Sequence, residues 1–212
     1  MSDTRAHDLR EAAQEYRKKS QLVDAGDQYT VAAYAYLSEA ESNQPPAVSH
    51  GKIAFGLYSL LCAGTCFRIA KLDTRCQNRA RQGILIAQDI EERVSAGETP
   101  DNTYDHARQG VWHEFIGDFR TVGRLDGASR AYDTAIEVYL AAGDPDTGYS
   151  EQEHMRLFDF VHGLSSGADI EIESIDTVRT GCGLTAWVEY KREQLPALLS
   201  QLDSQGTWPV EK

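Results

Sequence analysis

Residues 112–136 read WHEFIGDFRTVGRLDGASRAYDTAI, and their spacing decides the fold. Large rings stand at Trp112, Phe115 and Phe119; Ala128, Tyr132 and Ala135 follow after Gly123. Steps of three and four put the rings on one face of a first helix. The small residues of the second set let a second helix pack back closely. The spacing predicts a helical hairpin over 103–122 and 125–142.

Working outward, the same periodicity predicts further helices. A first runs over 3–25, capped by Asp3 or Thr4 and ended by Gly26-Asp27, with the glycine free to take positive φ. A second covers 28–42, with Tyr29, Ala32, Ala33, Tyr36 and Ala40 on one face. Asn43-Gln44-Pro45-Pro46 breaks the chain. A third helix over 47–72 is apolar nearly all round and is therefore the most buried. A fourth over 75–95 carries Ala80, Ile84, Ala87, Ile90 and Val94. After the 97–102 loop and the 112–136 hairpin, Gly143-Asp144-Pro145 stops the chain. Ser150 and Glu153 form a capping box for a seventh helix over 151–164. Residues 165–182 read as short helix or loop. An eighth helix covers 184–194. Pro196 suits the first turn of a short ninth over 196–202. Trp208-Pro209 is expected to fold back onto the body.

The spacing at 112–136 resembles one tetratricopeptide (TPR) repeat, W-x2-L-G-x2-Y followed by A-x3-F. Gly26, Tyr29, Ala32 and Tyr36 resemble a second half-repeat, and Ala80, Ile84 and Ala87 a degenerate one. The halves begin near residues 28, 74 and 125, a period nearer fifty than thirty-four, similar to the long-helix SNAP-like members of that superfamily. The resemblance implies an all-α chain of eight or nine helices, arranged as antiparallel hairpins in a short right-handed α-solenoid. Residues 1–164 would be the repeat body, and 165–212 a helical cap continuous with it. Trp112, Phe115, Phe119, Ala128, Tyr132 and Ala135 would be repeat core.

The resemblance also implies a function. In such proteins a partner lies in a concave groove lined by the first helix of each repeat, which here means His113, Gly117, Arg120 and Thr121. The family's carboxylate clamp uses Lys and Asn at such positions, and this chain lacks that set. Arg120 remains an anion contact and His113 a pH-sensitive donor. The expectation is a non-catalytic adaptor that binds another protein, with no cofactor. A self-associating structural protein is the alternative, giving a homo-oligomer.

Composition excludes some classes. The formal charge is −12, from 21 Lys and Arg against 33 Asp and Glu, so the surface repels phosphate backbones and disfavours nucleic acid. Abundant Asp with scarce Lys resembles the composition of proteins from salt-loving archaea. The longest apolar stretch, residues 53–64 (IAFGLYSLLCAG), is too short to span a bilayer. The polar start MSDTRAHDLR has no secretory h-region, which points to the cytoplasm.

Several sets of residues carry chemistry in principle. Arg68, Lys71, Arg75 and Arg79, with Arg81, are the one basic cluster; they read as an anion site or as a solvated face paired with surplus carboxylates. His113 with Glu114 and Asp118 could serve a helical-bundle metal enzyme, but no E-x-x-H pair matches it on another helix; the set reads as solvated or groove-facing. Cys62 and Cys66, one helical turn apart, read as core thiols rather than metal ligands, and no metal site is expected. Gly181-Cys182-Gly183 reads as a turn before a helix.

Overall fold

In the computed structural model the described residues are 3–40, 46–95, 103–145, 156–165 and 183–204. Among them the chain is all-α, with eight helices and no β-strand. These are α1 (Asp3–Lys18), α2 (Leu22–Ala40), α3 (Pro46–Ile69), α4 (Asp73–Ser95), α5 (Thr103–Val122), α6 (Ala128–Ala141), α7 (Arg156–Ser165) and α8 (Leu184–Ser204). Each of α1 to α6 packs chiefly on its neighbours in sequence. Two links set the orientation of α2 and α4. Arg75 pairs with Asp27, and the Gln82 amide donates to the Tyr34 hydroxyl at 2.8 Å. Both links join residues 48 apart in sequence, so α2 and α4 run parallel in fixed register, with α3 antiparallel between them.

The turns repeat. The amides of Gln21, Leu72 and Leu125 donate to the carbonyls of Tyr16, Phe67 and Arg120 at 3.0, 2.8 and 2.8 Å. The residues before them, Ser20, Lys71 and Arg124, have φ of 57, 60 and 52°. This is the helix-ending turn with one left-handed residue; in these three it is not glycine, whereas the same turn at the end of α6 uses Gly143 at φ 86°. L-residues pay a steric penalty in this region, and glycine relieves it at some entropic loss. Ser20→Gly is therefore expected to stabilise the protein by about 0.5–1 kcal/mol. Urea melts of the two proteins check it; an unchanged or lower midpoint contradicts it.

The first turn differs from the sequence expectation. The helix predicted over 3–25 ends at Lys18, and Gly26 lies inside α2 rather than at a helix end. Gly26 serves close approach instead: a Cβ there would stand 2.6 Å from the Phe67 ring of α3. Gly83 and Gly117 do the same, lying under the rings of Phe119 and Tyr132. The hairpin at 112–136 forms where the spacing places it, although α6 begins at Ala128 because Gly127 takes φ 85°. Trp112, Phe115, Phe119, Tyr132 and Ala135 are all buried, and Ala128 packs against the core from its edge.

The third helix is the spine of the core. Leu57, Leu60, Leu61, Cys62, Ala63 and Cys66 are wholly shielded from solvent. By length and composition its segment Gly51–Ile69 is long and apolar enough to cross a membrane, beyond the 53–64 stretch read from sequence; 83% of it is buried against the other helices.

The last two helices leave the order of neighbours. α7 packs on α3, and its Phe160 meets Tyr29 of α2 edge-on with ring centres 5.6 Å apart. α8 packs on α6, α7, α5 and α3. The helices expected over 184–194 and 196–202 are one: Pro196 lies inside α8. Pro196 is on the exposed side, while Leu195, Leu198, Leu199 and Leu202 are buried, so core packing carries the helix through the lost amide hydrogen bond. The expectations for 165–182, the 97–102 loop, the Ser150–Glu153 capping box, Cys182 and Trp208-Pro209 fall outside the described residues, Ser165 apart.

Candidate functional site

Helix α5 carries most of the polar residues singled out from the sequence, and it points them in different directions. His113 lies half-buried, its Nε2 4.0 Å from Glu91 of α4. Burial holds its imidazole below the ordinary value, against the pull of Glu91. Gly117 is covered by the Tyr132 ring and has no open face. Thr121 Oγ1 donates to the Gly117 carbonyl at 2.9 Å. Arg120 donates to the Asp126 carbonyl and lies over Gly127. The four expected groove residues are therefore spread over contacts with α4, α6 and the α5–α6 turn, and they do not form one open surface.

Glu114 and Asp118 are not solvated. Both carboxylates are wholly buried, as is Lys191 of α8, which lies between them. Lys191 Nζ donates to Glu114 Oε1 and, at 2.9 Å, to Asp118 Oδ2. From α6, the Tyr139 hydroxyl donates to Glu114 Oε2 and the Tyr132 hydroxyl to Asp118 Oδ1, each at 2.8 Å. Each of the four carboxylate oxygens thus accepts a hydrogen bond. The reason is geometric: at i and i+4 the two acids share a face of α5, and that face meets α8 rather than water. Burial, with Glu114 adding to it, pushes the Asp118 carboxyl up to about 7 against the pull of Lys191. Burial works to lower Lys191, but the two carboxylates outweigh it and raise it.

The basic cluster is also turned inward. The Arg68 guanidinium is buried. Its Nε and Nη2 donate to the Asp203 carboxylate of α8, the shortest contact being 2.7 Å. Its Nη1 donates to the Thr121 carbonyl at 2.8 Å. Arg124 bridges Asp203 at 2.7 Å and Asp73 at 3.1 Å, and Lys71 donates to the Asp203 backbone carbonyl. Burial works to raise the Asp203 carboxyl, but the hydrogen bonds from Arg68 and Arg124 outweigh it and hold it below the ordinary carboxylate value. Arg75 pairs with Asp27 and stacks 4.0 Å over the Phe67 ring. Arg79 donates to the Tyr34 hydroxyl at 3.0 Å. Of the two readings of the cluster, pairing with the chain's own acids describes Arg68, Lys71 and Arg75.

Two residues central to these clusters, Lys191 and Asp203, were not singled out from the sequence. Lys191 carries a signal: it stands between Trp187 and Leu195 at i−4 and i+4, a core position of an apolar stripe. A lysine there needs an acidic partner on the facing helix.

His113 and the acidic pair do not converge. Among the described residues no group of three or more His, Cys, Asp or Glu side chains is placed to hold a metal ion. Cys62, Cys66 and Cys76 are buried free thiols. Burial pushes Cys62 up to about 12 and Cys76 up to about 11, so both stay protonated and inert at neutral pH.

The largest exposed apolar side chains lie on α2, α4 and α6: Val23, Val31, Tyr34, Leu85 and Leu140, with Leu85 67% and Tyr34 45% exposed. Tyr34 is fixed in place by Arg79 and Gln82 of α4, and Leu85 lies one turn beyond Gln82.

No family model, curated protein or solved structure matches the chain.

Proposed function

We propose that the chain is a non-catalytic, TPR-like helical-repeat scaffold that binds another protein. The observation that carries this is the recurrent hairpin turn at Ser20, Lys71 and Arg124, at spacings close to the fifty-residue period, with parallel α2 and α4 held in register. A short right-handed solenoid accounts for that recurrence. The step from such an architecture to adaptor is an analogy, because one fold hosts many functions.

The contact surface we favour differs from the groove first expected. The residues assigned to that groove have internal contacts, and α8 already lies along α5. The outer face of α2 and α4 offers Tyr34 held rigidly beside exposed Val31 and Leu85. An ordered tyrosine beside aliphatic side chains is a frequent anchor in protein interfaces. The working location we propose is the cytoplasm.

The test is a pull-down from the native host at its own salt, comparing wild type with Tyr34→Ala/Leu85→Glu. Both positions are exposed, and the loss of the Tyr34 links to Arg79 and Gln82 should lower the circular dichroism melt by a few degrees and leave the helical signal intact. A protein retained by wild type and lost from the folded variant is the expected result. The alternative reading, self-association, rests on the same exposed residues. It is favoured if only the bait is recovered and its mass in light scattering rises with concentration in wild type alone.

A further inference from the structure

One ammonium shared by two carboxylates, all three closed off from water, is an unusual arrangement at the junction of a terminal helix with its body. Lys191 divides its charge between Glu114 and Asp118. Asp118 therefore faces half-compensated charge on one side and a second acid on the other. In a site of low polarisability such a shortfall is made good by a proton on one carboxylate; on Asp118 the Tyr132 hydroxyl turns to accept that proton and donates instead towards Thr121 Oγ1, 3.4 Å away. Among the described residues, the groups that face Asp118 come from three elements. α8 supplies Lys191, α5 supplies Glu114, and α6 supplies the hydroxyls of Tyr132 on Asp118 and Tyr139 on Glu114. On α3 and α4, Arg68 holds Asp203 and Glu91 faces His113.

We propose that seating α8 takes up a proton into the Glu114–Asp118–Lys191 cluster, making the attachment of this helix a pH-sensitive latch that is tighter in mildly acidic than in mildly basic solution. When α8 lifts, both acids return to water as ordinary carboxylates and the proton leaves. When it seats, the proton is recovered. The far end of α8 does not share this behaviour. Asp203 is held below its ordinary value, so the Arg68–Asp203–Arg124 junction weakens only in stronger acid. The helix is thus held at one end by an ion pair that persists down to strong acid and at its middle by a proton-dependent cluster.

The sign follows from linkage. A carboxyl raised from its ordinary 3.8 to about 7 adds stability that is complete below about 4 and is lost as pH rises towards 7. His113, held below 6.5, acts in the opposite direction and is common to wild type and variant. The experiment is amide hydrogen exchange of α8, together with urea midpoints, for wild type and Asp118→Asn at pH 5.5 and 8.0, corrected for intrinsic exchange rates. Asparagine keeps an oxygen for the Tyr132 hydroxyl and cannot titrate. Wild type is expected to show at least tenfold weaker protection of α8 at pH 8.0 than at 5.5, and Asp118→Asn a much smaller change. Equal pH dependence in the two proteins overturns the proposal. A second measurement counts protons directly. Unfolding by urea in weakly buffered solution at pH 6 should release close to one proton more from wild type than from Glu114→Gln, a difference in which the opposing uptake by His113 cancels. If neither cluster variant folds, the His113→Gln protein, which lacks that opposing imidazole, should show net proton release. Equal proton counts in the compared proteins, or no release from His113→Gln, overturn the proposal.

Discussion

Replacing Lys191 with methionine is expected to destabilise the protein by about 3–5 kcal/mol at pH 8, because it leaves two buried carboxylates without their cation. Methionine matches the lysine stem, so the loss reports charge rather than volume. The deficit should shrink at pH 5, where the stranded acids take up protons instead of remaining ionised. A companion variant separates the two contributions. Lys191→Met with Glu114→Gln and Asp118→Asn keeps acceptors for Tyr139 and Tyr132 and removes every charge. It should recover part of the lost stability: the stranded charges are gone, while the two new amide NH2 groups facing the methionine lack acceptors. Urea denaturation of the three proteins at both pH values checks this. A loss below about 1 kcal/mol for Lys191→Met at pH 8 would mean that water reaches the cluster.

Phe119→Ala is the second large effect, at about 3–5 kcal/mol. The Phe119 ring is wholly buried and lies on the backbone of Gly83 in α4, where an added Cβ would come within 2.0 Å of the ring. The same contact predicts the converse change: Gly83→Ala should cost about 1–3 kcal/mol by forcing the ring aside. Because both substitutions act on one contact, their effects should not add. Gly83→Ala with Phe119→Leu is expected to be more stable than the sum of the single effects, and a double-mutant cycle measures the difference. Additive losses would place the two residues in independent environments.

These two pairs divide what the sequence reveals from what it hides. The Trp112–Ala135 spacing is a local signal, since each side chain's face is set by its own helix; that is why α5, α6 and the inner stripes of α2 and α4 follow from periodicity. The limits of α1 and α8 do not. Gly26 carries the usual mark of a helix end, yet the approach of Phe67, 41 residues away in sequence, gives it another use. Pro196 carries the mark of a helix start, yet the buried leucines on either side of it keep one helix intact. The polar clusters are harder still. Glu114 and Asp118 look like surface residues when α5 is read alone. Their burial depends on α8 arriving from 73 positions away. Arg68 and Asp203 are separated by 135 positions, and no local pattern joins them. The residues expected to line a groove are bound up by contacts that the sequence of α5 alone does not show: His113 faces Glu91, Gly117 lies under Tyr132 and Arg120 holds the Asp126 carbonyl.

That separation also sets an order of assembly. Helices α1 to α6 meet their neighbours almost as soon as each is made, so the array can grow from its first hairpin as the chain leaves the ribosome. α8 emerges after the helices it docks on, and its Arg68–Asp203 contact closes a loop of 135 positions, which carries a larger entropic cost than the hairpin contacts. Until it does, Glu114 and Asp118 are hydrated acids on the open flank of the growing array. They give that unfinished surface a negative charge that discourages sticking between nascent chains, and Lys191, together with the proton taken up on seating, cancels that charge as the flank is covered.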